Sequence, residues 1–120
     1  MNICIDIGNT NAKMGFFNND ELSEVKLNLT DRGIIKVIKE HVPENVFLSS
    51  VRRGIGKVVD EVKKVSNTML LHHDTKVPFQ SLYKTPRTLG VDRIAAVVGA
   101  RFLYTQQNRV PWQAFYCLLL

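Results

Sequence analysis

An α/β domain built on one mixed sheet is the fold class the sequence predicts, and three observations predict it. Residues 2–7 alternate strictly, with Ile3, Ile5 and Ile7 on one face and Cys4 and Asp6 on the other, which is the period of two that a strand imposes. Two more strand-like segments follow at short spacing, so the first three strands make an antiparallel meander. Beyond residue 30 the apolar period lengthens to that of a helix, and helical and strand segments then take turns. That order builds crossover connections with helices packed on the sheet.

The elements follow in sequence. The first strand stops at Gly8 and Asn9, which leaves Asp6 at a strand's carboxyl end. Residues 12–17 (AKMGFF) form the second strand, Asn18, Asn19 and Asp20 the turn, and in the third strand Val25, Leu27 and Leu29 alternate with Glu24, Lys26 and Asn28. Thr30 is an N-cap for a helix whose apolar face is Ile34, Ile35, Val37 and Ile38, with Pro43 marking its exit. Residues 46–51 are a short apolar strand. Ile55, Val58, Val59, Val62 and Val65 then recur at helical spacing, with Lys57, Asp60, Glu61 and Lys64 largely outside. Residues 68–71 supply a fifth strand. This order, β-β-β-α-β-α-β, resembles that of the ribonuclease H-like lobe of the actin and sugar kinase architecture.

From Asp74 to Gly90 runs a polar, Pro-containing stretch of 17 residues. A compact domain seldom leaves so long a segment irregular unless it serves function. Asp92 then opens a helix with Ile94, Val97 and Val98 on its apolar face, and Ala95, Ala96, Gly99 and Ala100 are small enough for close helix contact. Residues 106–109 make a turn.

The chain has 120 residues, 45% hydrophobic and 22% charged, which suits a single domain with a real core. No apolar run approaches the ~20 residues that cross a bilayer, and MNICIDIGN lacks the basic and apolar regions of a secretory signal. The expectation is a soluble, cytoplasmic protein. Cys4 and Cys117 have no CxxC spacing and no histidines arranged around them, so both read as buried apolar residues. The formal net charge is +5, and the excess lies in residues 61–120, where eight Lys or Arg face three Asp or Glu. Lys84, Arg87 and Arg93 fall within ten positions, a cluster suited to an anionic ligand, to a solvated basic face or to nucleic acid.

Two constellations carry chemistry. The first is DIGNTNAK, comprising Asp6, Ile7, Gly8, Asn9, Thr10, Asn11, Ala12 and Lys13 between the first two strands. It is neither a Walker A loop nor GxGxxG. A tight turn centred on Gly8 presents backbone N–H groups, the Asn and Thr side chains add polar contacts, and Lys13 adds a compact positive charge. Asp6 can hold a hydrated Mg²⁺ that bridges phosphate oxygens. A plain hairpin turn with a solvated Lys reads the same residues. The second is YKTPRTLGVDR, from Tyr83 to Arg93, with Gly90, Val91, Asp92 and Arg93 at its end. Asp92 is placed either as a general base toward a primary hydroxyl or as a helix N-cap, and the planar fork of Arg93 can grip a carboxylate or phosphate.

Together, DxGNTxxK near the N-terminus and YxTPxTLGxDR some seventy residues later resemble the type III pantothenate kinase family over residues 1–105. The resemblance implies one lobe of an actin-like kinase, with Asp6 to Lys13 binding ATP, Tyr83 and Gly90 to Arg93 binding pantothenate, and Asp92 as catalytic base. It also implies a divalent cation such as Mg²⁺, held by Asp6, a monovalent cation (K⁺ or NH₄⁺), and a homodimer. The reaction implied is phosphorylation of pantothenate, the first step toward coenzyme A. No membrane or nucleic-acid partner is implied.

In that family a strand with a DAGTA-like motif follows, whose Asp holds the monovalent cation. Here NRVPWQAFYCLLL stands in its place, without Asp, Gly or Thr. Residues 106–120 therefore read as a divergent or truncated tail with the second domain absent, and the chain as an incomplete, poorly active form. A frameshift, an early stop or a truncation would each produce it. A regulatory protein that contacts nucleic acid through its basic half, and a nucleotide-binding pseudoenzyme, are the alternatives. His72 and His73 read as a strand-end pair, and Trp112, Phe115 and Tyr116 as core strand or tail.

Overall fold

A computed structural model describes residues 1–19, 21–72, 74–76 and 90–94. Its order is β1 (Asn2–Ile7), β2 (Ala12–Asn18), β3 (Glu21–Leu29), α1 (Asp31–His41), β4 (Asn45–Ser50), α2 (Gly56–Lys63) and β5 (Asn67–Leu70), the succession expected from the apolar periods. The strands form one sheet in the order β3-β2-β1-β4-β5. β1 pairs antiparallel with β2 and parallel with β4, and β5 continues parallel beyond β4. The sheet is mixed, as an actin-like kinase lobe requires.

The alternation of β1 decides where the core lies. Ile3, Ile5 and Ile7 meet Met14 and Phe16 of β2, Val46 and Leu48 of β4, and the buried faces of α1 (Ile34, Val37, Ile38) and α2 (Val58, Val59, Val62) in one cluster. Each such aliphatic side chain contributes about 1.5–3 kcal/mol by leaving water. The opposite sheet face carries Cys4, Phe17, Phe47 and Ser49, which are buried too, and at its upper end Asp6.

Thr30 caps α1 as expected, its hydroxyl accepting the Gly33 amide at 3.1 Å. At the far end Val42 adopts a left-handed conformation (φ 43°) and donates its N–H to the Ile38 carbonyl, which lets Pro43 follow. α1 and α2 are tied by Glu61, whose two oxygens meet Lys39 Nζ at 2.7 Å and Lys64 Nζ at 2.5 Å.

The third strand departs from its expected alternation. Leu27 is 63% and Val25 39% exposed, while Leu22, Lys26 and Leu29 are the half-buried positions. Two register shifts explain this: Ala12 and Met14 pair with Leu29 and Lys26, and Phe16 and Phe17 with Glu24 and Leu22. Each inserts one extra residue into β3, and each such bulge reverses the phase of the side chains. Asn28, at φ 57°, takes the left-handed conformation at the first bulge.

At the other end of the sheet a ladder of amides pins the register. Asn45 Nδ2 donates to Asn2 Oδ1 at 3.0 Å, and Asn67 Nδ2 donates to Asn45 Oδ1 at 2.9 Å, the three residues being direct register partners. Removing the middle amide breaks both bonds, and the exposed Asn67 can turn to water, so Asn45→Ala should cost about 0.5–1.5 kcal/mol in urea unfolding, and Asn67→Ala less. A neutral Asn45→Ala would show that the ladder is incidental.

Glu61 gives a pH dependence with a definite sign. Hydrogen bonds from Lys39 and then Lys64 lower its pKa from 4.5 to about 2. The contribution to stability is therefore complete above pH 4.5 and fades as pH falls toward 2. Glu61→Gln should remove that portion of the acid profile in chemical denaturation; an unchanged profile would deny the link.

Candidate active site at the carboxyl end of the central strands

β1 delivers Asp6 between two register partners, Lys13 on β2 and Ser49 on β4. Side chains directly opposite in a sheet share a face, so all three point away from the isoleucine core. Lys13 Nζ stands 3.5 Å from Asp6 Oδ2, and the Ser49 hydroxyl donates to Asp6 Oδ1 over 3.5 Å. The Asp6 side chain is only 16% exposed. Burial pushes its carboxyl above the usual range, and the charge and hydrogen bond of Lys13 oppose that push. The charge of Asp92 adds to it, and the Ser49 hydroxyl works against it.

The two sequence motifs lie side by side although 86 positions separate Asp6 from Asp92: a Cβ at Gly90 would lie 3.9 Å from Val51 Cγ1, and the Val51 amide donates to the Ile7 carbonyl at 3.1 Å. Residues 91–94 are helical, and the Gly90 carbonyl accepts the amides of Arg93 (3.1 Å) and Ile94 (3.4 Å). Gly90 therefore occupies the capping position. This corrects the reading of Asp92 as the N-cap: it lies inside the first turn, and its Oδ1 accepts the Arg93 amide at 2.9 Å. The same carboxylate oxygen lies over Gly90, so a Cβ there would oblige the Asp92 carboxylate to shift. Val91 is buried and Arg93 exposed.

The β1–β2 turn is closed by a bond of its own. The Gly8 amide donates to the Asn11 carbonyl at 2.9 Å and so is committed within the turn, and a Cβ at Gly8 would come within 3.1 Å of that oxygen. Asn9, Thr10 and Asn11 are exposed. Behind the turn lies a cleft of about 150 Å³ bordered by Thr10, Asn11, Leu29, Thr30, Asp31 and Arg52. Arg52 is held there by an ion pair with Asp31 and by its amide on Ser50 Oγ at 3.1 Å.

Ser49 and Arg52 are the residues the sequence reading missed. The available signal was the polar pair Ser49–Ser50 ending an apolar strand, followed by Arg52 and Arg53. Tyr83, Lys84, Arg87, His73, Cys117 and the helical face beyond Ile94 lie outside the described residues, as do Trp112, Phe115 and Tyr116. His72 ends β5's extension, its Nδ1 accepting the Asp74 amide at 3.3 Å. Among the described residues no three His, Cys, Asp or Glu gather as a metal cluster, and no helix is long and apolar enough to cross a membrane. A magnesium ion commonly needs only one or two carboxylates beside phosphate oxygens, and the Asp6 carboxylate, with the negative charge of Asp92 nearby, fits that donor set.

Burying the Asp6 charge is a cost that the unliganded fold bears. Asp6→Asn should therefore melt no lower than wild type at pH 7 and yet lose Mg²⁺-dependent nucleotide binding, whereas Asp60→Asn, on the exposed side of α2, should keep that binding. Equal nucleotide binding by both variants would remove Asp6 from the site.

Comparison with known proteins places these residues in context. A family model described as type III pantothenate kinase matches residues 2–110. Among curated relatives, the type III pantothenate kinase of Cytophaga hutchinsonii is 35% identical over 118 residues, covering 98% of this chain and 49% of the relative. That of Phocaeicola vulgatus is 37% identical over 106 residues, covering 86% and 44%, and that of Bacteroides fragilis 35% over 121 residues, covering 98% and 50%. The chain spans about half the length of the curated relatives it matches.

Proposed function

We propose, because the chain belongs to the type III pantothenate kinase family, that it supplies one lobe of an ATP-dependent kinase acting on pantothenate. The single observation that carries this reading is the juxtaposition of two distant motifs at the carboxyl end of β1: a Cβ at Gly90 would lie 3.9 Å from Val51 Cγ1, and the Val51 amide donates to the carbonyl of Ile7, next to Asp6, at 3.1 Å. A phosphoryl donor and its acceptor must be brought in line, so the residues that hold each have to meet.

In this reading the turn from Asp6 to Lys13 (Ile7, Gly8, Asn9, Thr10, Asn11 and Ala12 between them) lies against the ATP phosphates. Lys13 offsets their charge and Asp6 holds a divalent cation. A divalent cation held by Asp6 would supply neutralisation of the negative charge that develops on the transferred phosphoryl group. Tyr83, Gly90, Val91, Asp92 and Arg93 bind pantothenate. The Asp92 carboxylate takes the proton of its primary hydroxyl as that oxygen bonds to the γ-phosphorus, and the bond to ADP breaks. Arg93, exposed beside the base, grips the polar end of the substrate. A K⁺ or NH₄⁺ ion, a homodimer and a cytoplasmic location complete the proposal.

A nucleotide held from one side is neither oriented nor shielded from water, so the 120 residues alone should bind ATP·Mg²⁺ weakly. They should form phosphopantothenate far more slowly than about 1 s⁻¹, the low end of ordinary enzymes. Titration with ATP·Mg²⁺, pantothenate and duplex DNA, beside a turnover assay in K⁺ or NH₄⁺, tests this. Binding of DNA but of neither small molecule would favour a regulatory module instead. In a chimaera joining residues 1–105 to the C-terminal half of the Cytophaga relative, Asp92→Asn should stay folded and lose on the order of 10² to 10⁴ in rate. Wild-type turnover by that variant would sink the assignment of the base.

A further inference from the structure

Ser49 is the one buried polar side chain among the described residues, with no exposed surface. It closes an apolar strand, and alanine would fill nearly the same space. A hydroxyl withdrawn from water is unfavourable unless it finds a partner, and the partner here is Asp6 Oδ1 at 3.5 Å. The other oxygen, Oδ2, stands 3.5 Å from Lys13 Nζ. Both contacts come from direct register partners of Asp6, one on each neighbouring strand, so their places are set by backbone pairing.

We propose that Ser49 is a positioning residue for the Asp6 carboxylate, its hydroxyl and the Lys13 ammonium holding the two oxygens from opposite sides so that the carboxylate plane is fixed for a cation carried by nucleotide phosphates. The proposal rests on the reading of Asp6 as the group that holds that cation. The last torsion of Asp is broad and roughly two-fold, so the side chain's own rotamer leaves the plane loose. Lys13 cannot fix it alone, because its ammonium rides on a flexible four-carbon stem and acts as a point charge. Without the hydroxyl, the carboxylate is free to turn toward Lys13, closing the ion pair and withdrawing an oxygen from the cation. Metal-free nucleotide, which meets Lys13 and the turn and not the carboxylate, loses only what the tighter ion pair takes from Lys13, whereas the cation-bound form loses its carboxylate ligand as well.

The test is a chemical-shift titration of the folded chain with ATP, with Mg²⁺ and with chelator, for wild type, Ser49→Ala, Ser49→Cys and Ser49→Thr. The Cys variant keeps the size and loses the strong donor, and the Thr variant keeps the hydroxyl. The gain in affinity that Mg²⁺ brings should fall on the order of three- to tenfold in the Ala and Cys variants and return in the Thr variant, with chelated affinity falling less than the Mg²⁺-supported affinity. A wild-type gain in Ser49→Ala and Ser49→Cys, alongside a lost gain in Asp6→Asn, overturns the positioning role and leaves Asp6 in place. A folded Ser49→Thr that fails to restore the gain also overturns it. A wild-type gain in Asp6→Asn removes the reading of Asp6, and this inference with it.

Discussion

The register of β1 is the constraint on which the rest depends. It is the central strand, paired on both sides, and its period of two sends three isoleucines into the helix-covered core and Asp6 to the other face. Slipping the strand by one residue would turn Asp6 into the core and Ile5 or Ile7 out of it. The apolar cluster therefore enforces the position of the charged group without touching it, and the amide ladder at Asn2, Asn45 and Asn67 fixes the same register from the opposite end.

Electrostatics at the carboxyl end are set by a contest that burial wins. The Lys13 ammonium stands at 3.5 Å from Asp6, farther than the about 2.8 Å of a tight charge-assisted hydrogen bond. Its attraction therefore does not cancel the loss of water around the carboxylate, and the nearby Asp92 charge adds to the imbalance. A carboxylate in this condition gains more from an arriving cation than a solvated one does. The site is unfavourable when empty for the same reason that it is receptive to positive charge.

Much of this was legible in the sequence because it depends on local period and local chemistry. The isoleucine alternation, the Thr30 cap and the valine spacing of α2 each report a neighbourhood of a few residues, and each element fell where its pattern put it. The failures share a cause: they depend on partners distant in the chain. Val25 and Leu27 alternate correctly in the sequence, yet the bulges that expose them exist only in pairing with β2. Ser49 looks like the polar end of a strand until parallel pairing sets it beside a residue 43 positions away. Asp92 has the composition of a cap, but Gly90 takes that place because its carbonyl accepts the first amides of the helix, those of Arg93 and Ile94.

The bulged strand β3 has one more consequence. Among the described residues it is the nine-residue edge of the sheet, and a long regular edge is a template on which another chain can assemble. Two interruptions in its ladder spoil the even spacing of donors and acceptors, and Glu21, Glu24 and Lys26 place charges along its length. A foreign strand meeting this edge finds no continuous register to follow. The exposed Leu27 thus lies on an edge whose bulges and charges work against pairing with a further strand.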